Sequence, residues 1–104
     1  MRIRITGKQA GLSGGTWYVG RVDGRHFEAL VFAEPSQYGI DGGRVSKLYL
    51  WTGPKRKGGE ESAVFERGWE LEPGDEVCPV VEFLLQELSR SEHEAASDDR
   101  MSTQ

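Results

Sequence analysis

The stretch TWYVGRVDGRHFEALVF, residues 16–32, reads as two short strands folded about Asp23-Gly24. A two-residue hairpin turn of type I′ needs positive φ at both central positions, and Asp-Gly is among the pairs that accept it. If Val22 faces Arg25 across that turn, strand alternation assigns every residue to a face. Tyr18, Gly20, Val22, Phe27, Ala29 and Val31 then share one face, which reads as core. Trp17, Val19, Arg21, His26, Glu28, Leu30 and Phe32 share the other, which is apolar far from the turn and charged near it. Such a mixed face is expected to be partly covered by a helix or a second subunit. Alternation does not say which face a helix takes.

Strand character continues on both sides of the hairpin. RIRIT, residues 2–6, alternates cation and apolar residue and predicts an edge strand with Ile3 and Ile5 turned inward. GKQAGLSGG, residues 7–15, reads as a flexible glycine-rich connection, and it lacks the lysine-Ser/Thr ending of a phosphate-binding loop. YGIDGGRVSKLYLW, residues 38–51, has two strand-compatible halves about Asp41-Gly42-Gly43. Its second half predicts a strand with Ser46, Leu48 and Leu50 on one face and Val45, Lys47, Tyr49 and Trp51 on the other. TGPKRKGGEE, residues 52–61, is a basic loop tip, and SAVFERGW, residues 62–69, is a strand that pairs antiparallel with 44–51. That pairing sets Arg67 and Trp69 near the end of the sheet.

The chain ends in an amphipathic helix. Val77, Val80, Val81, Leu84, Leu85 and Leu88 recur at helical spacing, Asp75 suits an N-cap, and Pro79 is tolerated only in a first turn. The helix is expected to start near 75–78 and to run to about residue 90. The remainder, 91–104, has lost the stripe and reads as an acidic, disordered tail. Together these segments predict one α+β domain over residues 1–90, a twisted antiparallel sheet of about five strands with one C-terminal helix packed on it.

Composition narrows the function. The 104 residues carry a formal net charge of −4. Residues 1–50 hold seven Lys/Arg against four Asp/Glu, and residues 51–104 hold six against thirteen. That asymmetry argues against duplex nucleic acid, whose binding needs a broad cationic face. The single cysteine, Cys78, forms no internal disulfide, and the opening MRIRITGKQAGLSG has no apolar run resembling a signal peptide, so a cytoplasmic protein is expected. No window is apolar enough to span a membrane. So small a domain is expected to gain stability by homo-oligomerisation.

No catalytic signature stands in the chain. His26 and His93 lack companions at metal-ligand spacing, and a zinc site needs three or four converging ligands. Cys78 sits at a helix start without a local base and reads as a small buried residue. Nucleophile, base and oxyanion donors cannot be assembled, no cofactor motif is present, and the protein reads as non-enzymatic. The candidate binding residues cluster at 38–51. Glycines 42 and 43 would give access, Arg44 and Lys47 charge, and Tyr38, Tyr49 and Trp51 flat surface for stacking, with Arg67 and Trp69 beside them. A planar anion such as a nucleotide fits that combination. The alternative is a tight turn into a half-buried strand whose aromatics serve the core or a dimer seam.

WYVGRVDGRHFEALVF, YGIDGGRVSKLYLW and FERGWELEP, followed by the helix, resemble a family of small uncharacterised proteins carried by bacteriophages and prophages, over residues 16–88. The resemblance brings no activity with it. It implies a non-catalytic accessory factor acting in the host cytoplasm. One form of that expectation sequesters a nucleotide-type signal of host defence; the other is an anti-CRISPR-like inhibitor that binds a host effector protein. The longer N-terminal strand, the basic insertion at 54–59 and the acidic tail depart from the family pattern.

Overall fold

The computed structural model describes the backbone of residues 1–102 and the side chains of residues 1–90. Six strands form one antiparallel meander in sequence order: β1 (Ile3–Ala10), β2 (Thr16–Val22), β3 (Arg25–Val31), β4 (Val45–Trp51), β5 (Glu61–Phe65) and β6 (Trp69–Leu71). One helix, α1 (Cys78–Ser102), follows. The expected polar tail at 91–104 lies outside the residues whose side chains are described.

The β2–β3 hairpin turns as its sequence requires. Asp23 and Gly24 hold φ of 51° and 75°, and Val22 pairs with Arg25. The β2–β3 register follows, with Gly20 opposite Phe27, and on the other side of β3 Phe27 opposes Leu50. The face carrying Tyr18, Val22, Phe27, Ala29, Val31, Leu48, Leu50 and Ala63 is the one α1 covers, with Val77, Val80, Val81, Leu84 and Leu88. Phe27, Leu48, Leu50, Leu84 and Leu88 are fully buried in this layer, and among the described residues no polar or charged side chain is buried with them. Dry apolar contact of this kind is the main source of stability in a two-layer domain.

Four sequence expectations are corrected. Gly7–Ala10 is strand, not loop: β1 runs eight residues, with its register shifting between Ile5 and Gly7. An added Cβ on Gly20 would lie 2.0 Å from the Arg4 carbonyl oxygen, so only glycine lets β1 approach β2 this closely. Second, Leu30 pairs with Lys47 but Val31 pairs with Val45, which makes Ser46 an extra residue. This β-bulge reverses the alternation and sends Val45, 2 % exposed, into the core with Leu48. Third, the sheet has six strands, since Trp69–Leu71 adds a short edge strand beyond β5. Fourth, the first half of the 38–51 stretch is no strand. Ile40–Gly42 forms one 3-10 turn that plugs Ile40, 4 % exposed, into the core beside α1. Asp41 and Gly42 adopt φ of 55° and 70°, so the glycines close a tight turn.

Candidate functional site

Strand alternation leaves the opposite face of the sheet without a helix. Trp17 and Val19 on β2, His26, Glu28 and Leu30 on β3, Lys47, Tyr49 and Trp51 on β4 and Val64 on β5 stand on this open face. Its centre is an aromatic row. Trp17 and Tyr49 meet across β3 with ring centroids 6.2 Å apart and planes 29° from parallel. Trp51 lies 6.4 Å from Tyr49, and His26 sets its edge against Trp51 at 4.9 Å. His26 Nε2 and the Glu28 carboxylate are 2.9 Å apart, and Arg56 from the β4–β5 loop reaches the same carboxylate at 3.4 Å. The basic loop therefore folds back over the face, with Gly59 against Trp51.

Tyr49 connects this row to a cleft. Its hydroxyl donates a hydrogen bond to the Glu66 carboxylate. Burial, followed by that hydrogen bond and the negative charges of Glu66, Glu61 and Glu28, pushes the phenol from 10.0 up to about 12. Tyr49 is thus a permanent donor at neutral pH. Glu66 in turn lines a cleft of about 1020 Å³ at the end of the sheet away from the Asp23-Gly24 turn. Leu30 and Phe32 contribute apolar surface to it, the segment 33–38 forms one wall, and Ser46, Lys47 and Arg67 complete it. Neither Lys47 nor Arg67 forms an ion pair among the described residues.

The residues expected to form a site divide among four places. Tyr38, 74 % exposed, Lys47 and Arg67 come together in the cleft. Tyr49 joins them only through Glu66, and Trp51, 6 % exposed, is sealed farther along the same face. Arg44 goes elsewhere: its guanidinium donates to the Phe32 carbonyl at 2.9 Å and the Ser89 carbonyl at 2.5 Å, tying β3 to α1. Trp69 stands on the helix side, its ring edge-on to Phe65 at 5.2 Å. Leu30, Phe32 and Glu66 were missed. The first two were visible as the apolar end of the second hairpin face, whereas Glu66 had no signal beyond its place beside Arg67.

Other chemistry-bearing residues form smaller groupings. Cys78 is half-buried, its thiol 3.5 Å from the Pro73 carbonyl, in a shallow hollow shared with Trp69 and Glu82. Among the described residues no three His, Cys, Asp or Glu side chains converge, and no helix is long and apolar enough to cross a membrane. His93 lies outside the described side chains.

Fold and site define an open-faced antiparallel meander backed by a single helix, with a mixed apolar and charged cleft on its bare side. Residues 16–89 match the family described as a domain of unknown function, DUF7678, and the chain belongs to that family. The matched segment holds β2 to β6, the start of α1 and every cleft residue except Ser13; β1 lies outside it. No curated protein and no solved structure matches the chain.

Proposed function

We propose that this protein is a non-enzymatic binding module that holds a planar, anionic small molecule of nucleotide type in the open-face cleft. The observation that carries this reading is the juxtaposition of apolar surface from Leu30 and Phe32, the exposed ring of Tyr38, and two cations outside any described ion pair, Lys47 and Arg67. A flat base would lie on the apolar and aromatic surface, and its anionic group would meet the cations. The volume is at the upper end of the roughly 300–1,000 Å³ usual for small-molecule sites. Among the described residues the lining of the cleft includes no histidine or cysteine. In the setting implied by the resemblance to phage and prophage proteins, the captured molecule is a nucleotide signal of host defence, and the protein acts by lowering its free concentration.

The test is a thermal-shift screen of the purified protein against nucleotides, cyclic oligonucleotides and ADP-ribose derivatives. A ligand bound only by the folded state at about 100 times its Kd adds about 2.7 kcal/mol of stability, a rise in Tm that is easily resolved. Lys47→Ala and Arg67→Ala are expected to abolish that rise, while Arg44→Ala lowers the starting Tm but preserves the increment. A flat screen sinks the small-molecule reading and redirects attention to a protein partner on the open face.

A further inference from the structure

The cleft is not a simple anion site. Lys47 and Arg67 are matched there by Glu34 and Glu66, so its formal charge sums to zero. A bare polyanion gains little long-range attraction from such a site and would meet carboxylates at close quarters. Glu34 belongs to the wall segment, but Glu66 is held. One of its oxygens accepts from the Tyr49 hydroxyl, and it makes no other side-chain hydrogen bond or ion pair among the described residues. Tyr49 is itself fixed between Trp17 and Trp51, whose rings stand 6.2 and 6.4 Å away. The carboxylate therefore lines the cleft from a set position, with acceptor capacity beyond the Tyr49 hydrogen bond.

On the reading that the cleft binds a nucleotide-type anion, we infer that Glu66 recognises the sugar of the ligand, accepting hydrogen bonds from ribose hydroxyls while Lys47 and Arg67 meet the phosphate. A ribonucleotide carries both an anion and vicinal O–H donors, so it answers both halves of a charge-balanced cleft. Tyr49 is the positioning residue: it touches no ligand but fixes which way the carboxylate faces. Removal of the ribose donors leaves Glu66 desolvated against a ligand that gives it nothing in return, a loss that discriminates more strongly than a lost apolar contact.

Isothermal titration calorimetry with three probes tests this: adenosine diphosphate, its 2′,3′-dideoxy analogue, and inorganic pyrophosphate. The ribonucleotide is expected to bind at least about tenfold more tightly than the dideoxy analogue, the effect of one hydrogen bond to a charged acceptor. Glu66→Gln keeps an oxygen for Tyr49 to bond and is expected to bring that ratio close to one, with pyrophosphate affinity retained or raised because one carboxylate charge leaves the cleft. Tyr49→Phe is expected to narrow the ratio by a smaller factor, again sparing pyrophosphate, with circular dichroism confirming the fold of both variants. Equal binding of the two nucleotides by the unsubstituted protein overturns the inference and leaves the anion site standing. A parallel loss of all three probes in Glu66→Gln also overturns it, because it marks a purely structural carboxylate. If none of the three probes binds the unsubstituted protein, the inference and the nucleotide reading fall together.

Discussion

The two faces of this sheet come from the same strands and often from adjacent residues, yet they are built for different ends. Leu48 and Leu50 on one side of β4 are fully buried under α1, in a layer of apolar side chains. On the other side Tyr49 and Trp51 belong to a network of rings and carboxylates, and Lys47 lines the cleft beside it. Burial against the helix stabilises in proportion to apolar area and needs no particular partner. The open face contributes less to stability, and its side chains are held by directional contacts. Such contacts orient groups for a ligand; they do not create a core.

Substitutions sort along this contrast. Phe27→Ala or Leu84→Ala removes a fully buried side chain from the helix-covered layer and is expected to lower unfolding free energy by about 3–5 kcal/mol in urea titrations. A loss below about 1 kcal/mol would break the division between the faces. Arg44→Ala deletes the tie from Phe32 to Ser89 and is expected to lose about 2 kcal/mol, with no change in ligand affinity once the fold is confirmed. Lost binding in a stable Arg44→Ala protein would return Arg44 to the site. Val19→Ala on the open face, where the side chain is half-buried, is expected to cost under about 1 kcal/mol.

The smallest effect is a pH dependence. The Tyr49 phenol rises from 10.0 to about 12 on folding, so its contribution is complete below pH 10 and is lost as pH climbs toward 12. Tyr49→Phe should flatten the alkaline side of the stability profile over that interval and remove a step near pH 12 from the ultraviolet titration of tyrosinate. A Tyr49 that ionises near 10 would show that neither its burial nor its hydrogen bond to Glu66 holds in solution.

Much of the fold was legible because its determinants are local. The Asp23-Gly24 turn dictates the register of β2 against β3, and a single pairing then sorts two strands into faces. The apolar spacing from Val77 to Leu88 is a property of one helix and needs no partner to be read. The candidate site was less legible. Tyr38, Lys47 and Arg67 do meet, but Arg44, their near neighbour in sequence, is drawn to a carbonyl 45 residues away. Glu66 gained its role from a tyrosine 17 residues earlier, across a strand pair.

By itself, then, the sequence determined an α+β chain with an amphipathic C-terminal helix, a type I′ hairpin and the membership of its two faces, since turn chemistry and side-chain period act over a few residues. Tertiary structure alone decided that α1 covers the Tyr18–Phe27 face, that a bulge at Ser46 turns Val45 inward, and that Glu66, not Arg44, stands in the cleft. Those outcomes depend on where distant backbone groups come to rest, and a one-residue change of register reverses every side chain beyond it.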